Sequence, residues 1–213
     1  GGPGVSSSHE FLSGGHLVRV VLLDTRYARS IVQKGPITTQ DNGNGAEGYI
    51  PTYSEDARIL SQSQWLWLQD ELGKPADLTI LGSSTQVLRE HNGDESWANF
   101  PLEQNKLVSL LKQQTRGRPV LIISGDIHFS ELSYWPEFHL YDVTSSGLTE
   151  TWKQDPFPNS FLVDELSVVT DPNFGVLGVD WVRHTVEVTL RDEMGDVKYR
   201  KVLSFNDISM PYD

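Results

Sequence analysis

Apolar runs alternate with two amphipathic segments over the first 124 residues. Residues 61–73 and 102–114 carry apolar side chains at helical spacing, and a glycine and a proline end each segment: Gly73 and Pro75, then Gly117 and Pro119. Nearly continuous branched apolar runs, typical of strands covered on both faces, occupy residues 17–23, 78–81 and 120–123. The order strand, helix, strand, helix, strand predicts right-handed βαβ units and a largely parallel sheet.

After residue 138 the pattern indicates strands without helices. Strands are predicted at residues 140–143, 176–182, 185–190 and 197–205, and the polar residues 191–196 predict an antiparallel hairpin between the last two. We therefore predict one α/β domain whose mixed sheet begins with parallel βαβ units and ends with antiparallel strands.

Two segments lack regular patterning. Residues 1–16 are rich in Gly and Ser and are predicted to form a flexible N-terminal segment, which leaves residues 17–213 as the folded part. Residues 34–53 carry several Gly, Pro and Asn residues and are predicted to form a long loop. Loops of this length often border functional sites.

Charge and composition exclude several classes of protein. The chain has 29 acidic and 17 basic side chains, a net charge of −12, and no basic run, so it is not expected to bind nucleic acid. It contains no cysteine, which excludes disulfides, zinc fingers and thiol nucleophiles but leaves the compartment open. No apolar run is long enough for a transmembrane segment.

Polar side chains follow four of the predicted strands. Sites in open α/β sheets collect at the carboxyl ends of parallel strands, so these side chains are candidates for one site. They are Asp24 and Arg26 after the first strand; Ser83, Ser84 and Gln86 after the second; Asp126 and His128 after the third; and Ser145 and Ser146 after the fourth.

Asp126 and His128 carry the strongest signal. In an extended chain, residues two apart point to the same side, so the carboxylate and the imidazole would converge while Ile127 points away. A divalent transition metal accepts such a pair of ligands. The alternative is that Gly-Asp simply ends the strand and that His128 is a hydrogen-bonded core residue.

The other candidates also have two interpretations each. Asp24 and Arg26 could be a catalytic carboxylate with a phosphate-binding guanidinium, or a buried ion pair that closes the strand.

The hydroxyl and amide side chains likewise remain ambiguous. Ser83, Ser84 and Gln86 could bind substrate or cap a following helix. Ser145 and Ser146 could form part of an anion-binding nest or a tight turn.

Six blocks of the sequence resemble signatures of the PhoD-like alkaline phosphatases, in the order in which that family carries them. That family belongs to the calcineurin-like metallophosphatase superfamily. The blocks are LLDTRY at 22–27, QWLWL at 64–68, SSTQVL at 83–88, WANFP at 97–101, SGDIHFSEL at 124–132 and YDVTSSGLT at 141–149.

The resemblance implies a metallophosphatase-type αββα sandwich and metal-dependent hydrolysis of a phosphate-ester substrate. It places Asp126 and His128 at the metal centre, with Asp24, Arg26 and the 83–86 loop nearby. The metal is a divalent ion that the sequence does not identify; iron, zinc, manganese, magnesium and calcium all accept such ligands. Phosphomonoesterase and phosphodiesterase activity both remain open.

One departure from the family matters for activity. The first half of this fold normally supplies most of the metal ligands, and nothing before residue 17 can do so. The chain thus resembles the C-terminal half of the fold, and we expect a missing N-terminal half as its partner, an exposed apolar sheet edge and an incomplete site. A non-catalytic binding or scaffold remnant is the alternative.

Overall fold

The computed structural model describes residues 1–37, 47–91, 93–152 and 159–211. Its regular elements, in chain order, are β1 (Ser7–Ser13), β2 (His16–Leu22), β3 (Gln33–Pro36), β4 (Glu47–Ile50), α1 (Gln62–Gly73), β5 (Leu78–Gly82), α2 (Pro101–Thr115), β6 (Val120–Ser124), β7 (Ser130–Trp135), β8 (Leu140–Ser145), β9 (Asn173–Asp180), β10 (Thr185–Asp192) and β11 (Val197–Ser204).

Six strands form the central sheet in the order β1-β2-β5-β6-β8-β7. The four inner strands, β2, β5, β6 and β8, run parallel, and each outer strand is antiparallel to its neighbour. Helices α1 and α2 connect β2 to β5 and β5 to β6, which confirms the predicted βαβ units. The carboxyl ends of the four parallel strands therefore lie along one edge.

The last three strands form a separate antiparallel sheet in the order β11-β10-β9. The α/β class and the mixed central sheet are confirmed, but the last strands of the chain leave that sheet and form a second one. The reason lies in β10, where buried Val186, Val188 and Leu190 alternate with more polar side chains. Such a strand has one apolar face, and that face packs against the central sheet through Leu121 and Val143.

The described chain thus forms three layers. The two helices cover one face of the central sheet, with Trp65, Leu68 and Leu111 buried among them, and the three-stranded sheet covers the other face. None of the described helices is long and apolar enough to cross a membrane.

The N-terminal residues differ from the predicted flexible segment. Residues 7–13 form β1, which pairs with β2 from Ser7 opposite Leu22 to Ser13 opposite His16. Gly14 and Gly15 connect the two strands with φ values of 60° and 86°. A two-residue hairpin turn requires positive φ at these positions, and glycine adopts it without strain.

Three further strands, β3, β4 and β7, lie where the sequence analysis placed no strand. Within the predicted 34–53 loop, β3 and β4 pair as an antiparallel hairpin, while residues 38–46 lie outside the described part of the chain. Strand β7 was not predicted, because its sequence, SELSYW, mixes polar and apolar residues on two buried faces.

Helix α1 also fixes the end of β2. The Ser61 hydroxyl caps the helix by accepting a hydrogen bond from the Gln64 N–H at 3.1 Å. The Gln64 amide, however, points to Asp24: it accepts from the Asp24 N–H at 2.8 Å and donates to the Asp24 carbonyl at 2.9 Å. The buried Gln64 amide therefore fixes the backbone just after β2.

Candidate functional site

The loops that follow the four parallel strands meet at one edge of the central sheet. The hydroxyls of Thr25 and Ser84 share a hydrogen bond between the first two loops. A Cβ on Gly125 would lie 3.6 Å from the Ser146 hydroxyl and 3.8 Å from the Ser84 carbonyl, so the last three loops also touch.

A cluster of four charged side chains lies at this edge. The Arg26 guanidinium forms an ion pair with Asp126 at 3.0 Å through Nη2 and binds Glu95 Oε1 through Nη1. Arg29 binds the same Glu95 oxygen through its own Nη1. The exposed fraction of these four side chains ranges from 20% to 43%, so solvent reaches the cluster.

Asp24 is buried, and its carboxylate holds the loop backbone. One oxygen accepts hydrogen bonds from the N–H groups of Arg26 (3.1 Å) and Tyr27 (2.9 Å), and the other accepts from Val5 N–H at 3.1 Å. Burial would raise the pKa of Asp24, but these backbone N–H donors outweigh it and hold the pKa below 3.8. The Arg26 guanidinium contacts Glu95 and Asp126, so the predicted alternative of an Asp24–Arg26 ion pair is wrong.

The chain turns sharply at Asp126 and His128. Their φ values are 82° and 59°, so the segment is not extended, and the argument that placed both side chains on one side is wrong. Two left-handed residues within three positions store strain of about 1–3 kcal/mol each. Such strain away from helix ends and hairpin turns is characteristic of functional loops.

One ring nitrogen of His128, Nδ1, is buried and has no hydrogen-bond partner among the described residues. The ring stacks on Trp152 with centroids 5.4 Å apart and planes 7° apart. Asp126 and His128 have the donor chemistry of a divalent metal site. Across residues 1–37, 47–91, 93–152 and 159–211, however, no group of three or more His, Asp or Glu side chains could hold a metal. The donor types of Asp126 and His128 and the unpartnered Nδ1 thus fit a metal, but two ligands make up only part of a metal centre.

Ser83 and Gln86 point into the protein rather than toward the edge. The Ser83 hydroxyl donates to the Thr85 carbonyl at 2.7 Å and accepts from the indole N–H of Trp97 at 3.0 Å. Gln86 is fully buried, whereas Ser84 is exposed. No helix follows this segment within residues 84–91, so the predicted capping alternative is wrong.

Gln86 belongs to a buried network centred on an ion pair. Arg89 and Glu131 are both almost fully buried and contact each other at 2.9 Å. The same Glu131 oxygen accepts from the Gln86 amide at 2.5 Å and from the Asn159 amide at 2.9 Å. The network thus ties the loop after β5 to strand β7.

Asp142 ties the same loop to strand β8. Its carboxylate accepts hydrogen bonds from the backbone N–H groups of Val87 (2.8 Å) and Leu88 (3.0 Å) and from the Ser124 hydroxyl (2.7 Å). Burial raises the pKa of Asp142 in spite of these donors. Three of the four strand ends are therefore fixed relative to one another by buried polar contacts.

Ser145 and Ser146 lie half-buried at the end of β8. The following Gly147 donates its N–H to the Asn173 side chain at 3.3 Å and accepts from the Asn173 N–H at 3.0 Å. Ser145 lines an open cavity of about 620 Å³, together with Ser84 and Ser124 from the neighbouring strand ends and the apolar Leu22, Ile123 and Phe174.

The sequence analysis missed five charged residues at or beneath the site: Arg29, Arg89, Glu95, Glu131 and Asp142. Glu131 and Asp142 lie inside two of the quoted blocks, and Arg89 directly follows a third. Their position inside or beside these blocks is the sequence signal that could have identified them. The sequence around Glu95 gives no such signal, because Glu95 becomes a partner of Arg26 only through the fold.

Comparison with known proteins places this geometry in a family. A search of curated proteins finds none that matches the chain. A solved structure described as "Structure of PhoD" superposes with a TM-score of 0.64 at 14% sequence identity, covering 96% of this chain but only 43% of its own chain. The chain therefore shares the fold of that protein and spans less than half of its length. Residues 6–154, more than half of the chain, match the PhoD-like phosphatase family, and the chain belongs to that family.

Proposed function

We propose that this chain takes part in metal-dependent hydrolysis of phosphate monoesters at the carboxyl edge of its central sheet. The observation that carries the proposal is the 3.0 Å contact between Arg26 and Asp126. It joins a residue suited to binding phosphate oxygens to one suited to binding a metal, from two strand ends that are far apart in sequence. Membership of the PhoD-like phosphatase family supports a phosphoesterase in general.

The side chains at the edge suit distinct roles. Asp126 and His128 would be metal ligands, and a carboxylate with an imidazole accepts iron, zinc, manganese, magnesium or calcium. When bound, such an ion lowers the pKa of a coordinated water and polarises the phosphoryl oxygen. Arg26 would bind phosphate oxygens, and the exposed Ser84 hydroxyl would donate a hydrogen bond from the neighbouring loop.

Other predicted site residues suit supporting roles. Asp24 would act as a positioning residue, because both of its oxygens already accept backbone N–H groups beside Arg26. Gln86 would hold the loop that carries Ser84, since its amide is committed to the buried network. Ser145 and Ser146 would line the substrate side of the edge.

A further part of the fold is needed to complete the site. Two candidate ligands are fewer than the three protein ligands of a catalytic zinc-type site. The central sheet also carries exposed apolar side chains at Phe11, Leu12 and Leu22, which are 56%, 80% and 39% exposed. We propose that a segment corresponding to the rest of the PhoD fold covers this region and supplies the remaining ligands.

The test is hydrolysis of an aryl phosphate monoester by the purified chain, alone and mixed with such a complementary segment, across a series of divalent metals. We expect turnover that requires metal and the segment and that His128→Ala abolishes. His184→Ala is the matched control, because His184 is exposed in the turn between β9 and β10 and lies beside Ala76 and Pro119, at the opposite end of the parallel strands.

Each alternative function has its own result in this assay. Preference for an aryl phosphate diester over the monoester would indicate a phosphodiesterase. Absence of turnover with every metal in the assembled complex would contradict catalysis and favour a binding or scaffold role. Turnover that His128→Ala leaves unchanged would contradict the assignment of His128.

A further inference from the structure

We propose that Arg29 acts with Arg26 as a two-guanidinium site for one phosphate group, with Glu95 holding both arginines in place. The inference rests on the proposed function in taking a phosphate group as the ligand. It adds a residue, Arg29, that the strand-end argument did not identify, and it assigns Glu95 a positioning role.

The backbone brings the two arginines to the same place. The loop after β2 turns so that Arg29 N–H donates to the Arg26 carbonyl at 3.4 Å. The next residue is anchored to a neighbouring loop, because Ser30 N–H donates to the Arg58 carbonyl at 2.8 Å and its hydroxyl accepts from Arg58 N–H at 3.0 Å. The turn fixes the origin of both side chains.

Glu95 converts this proximity into a defined arrangement. A single oxygen, Oε1, contacts Nη1 of Arg26 and Nη1 of Arg29, so the two guanidiniums converge on one point. Glu95 itself directly precedes a buried turn in which Ser96 N–H donates to the Asn99 side chain at 2.8 Å. The acceptor is therefore fixed by the fold.

Two guanidiniums that contact the same Glu95 oxygen repel each other, although Asp126 brings a second carboxylate to the cluster. The pKa of Arg29 is lowered, first by burial and next by the charge of Arg26, while Asp126 opposes the shift. A guanidinium has five N–H donors in a planar fork, and each contact with Glu95 uses one nitrogen. A phosphate, with several acceptor oxygens and up to two negative charges, suits two such forks.

Exposure distinguishes this pair from the buried arginines of the chain. The side chains of Arg26 and Arg29 are 43% and 22% exposed, whereas those of Arg19 and Arg89 are 3% and 0% exposed. A ligand can reach the first two and cannot reach the others without unfolding.

The test is a titration of the whole chain with inorganic phosphate at low ionic strength, followed by NMR of the arginine Nε–H resonances. We expect saturable shifts at Arg26 and Arg29. Arg29→Gln should weaken phosphate binding about tenfold or more, and Arg29→Lys should weaken it less, because lysine keeps the charge but loses the fork. Arg183→Gln, the same change at an arginine whose side chain is 82% exposed in another turn, should leave binding unchanged.

Two results would overturn the inference: no phosphate-dependent shift at either arginine of the unaltered chain, or equal weakening by Arg29→Gln and Arg183→Gln. The first result is measured on the unaltered chain, so the proposal can be contradicted even if a variant fails to fold. The titration involves no turnover. Intact phosphate binding without hydrolysis in the assembled complex would therefore defeat the proposed function alone, and hydrolysis with phosphate affinity unchanged in Arg29→Gln would defeat this inference alone.

Discussion

Two charged clusters at the same edge of the sheet differ in their access to water. In one, Arg89 and Glu131 are almost fully buried and are surrounded by amide and hydroxyl partners. In the other, Arg26 contacts Glu95 and Asp126, and between 20% and 43% of each of these three side chains is exposed. Both clusters contain arginine–carboxylate pairs, but only in the second can a ligand reach the guanidiniums.

The difference follows from the cost of removing charge from water. A buried ion pair is maintained only when hydrogen bonds satisfy its remaining donors and acceptors, so the network around Glu131 is committed to structure. A half-exposed pair is worth little to stability and can open at low cost. Burial therefore separates the charged residues that hold the edge from those that can act on a ligand.

The largest effect should come from breaking the buried pair. Glu131→Ala removes an acceptor shared by Arg89, Gln86 and Asn159 and takes this carboxylate away from the buried Arg89 guanidinium. We expect a loss of about 3–5 kcal/mol in the free energy of unfolding, measured by denaturant titration.

Glu187→Ala is the matched control for that measurement. Glu187 pairs with Arg200 at 3.6 Å on the exposed side of the small sheet, and the same substitution there should cost less than about 1 kcal/mol. Equal losses in the two variants would mean that burial does not distinguish the clusters.

A smaller effect is expected at Asp24, which supports the exposed cluster from beneath. Asp24→Asn replaces one acceptor oxygen with an NH₂ group and leaves at least one of three backbone N–H donors without its partner. We expect a loss of about 1–3 kcal/mol in unfolding free energy at pH 7.

The pH dependence of that loss tests its cause. The pKa of Asp24 in the folded protein lies below 3.8, so its carboxylate contributes stability above that pH, and the contribution disappears as the pH falls through the folded-state pKa. The stability difference between the unaltered chain and Asp24→Asn should therefore shrink below pH 3.8. A difference that stays constant into acid would show that the charge is not what holds the loop.

Much of the fold could be predicted because it follows local patterns. Buried parallel strands and amphipathic helices have distinct periodicities, and β5, α1, α2 and β6 were placed within one or two residues. Strands β1 and β7 were missed, since one is exposed and polar and the other mixes polar and apolar residues among buried partners. Separation into two sheets depends on long-range packing that no local pattern records.

The candidate site shows the same difference between local patterns, which could be predicted, and long-range contacts, which could not. The strand-end rule identified Arg26 and Asp126, and the structure brings them into contact at 3.0 Å. It could not tell Ser84 from Gln86, because whether a loop side chain points to solvent or into a network is decided by Glu131 and Asp142, which lie more than 40 residues away. It also missed Glu95, whose role depends on a loop closing over another strand end.

The smallest effect on stability is expected at Glu95 itself. Glu95→Gln keeps an oxygen acceptor for Arg26 and Arg29 but removes the negative charge of a cluster that solvent reaches. We expect a change of less than about 1 kcal/mol in unfolding free energy at low salt, and a smaller one at 1 M salt, where screening acts over about 3 Å. Denaturant titrations at both salt concentrations would measure it. A loss as large as that of Glu131→Ala, insensitive to salt, would mean that the exposed cluster is structural after all and is not free to take a phosphate.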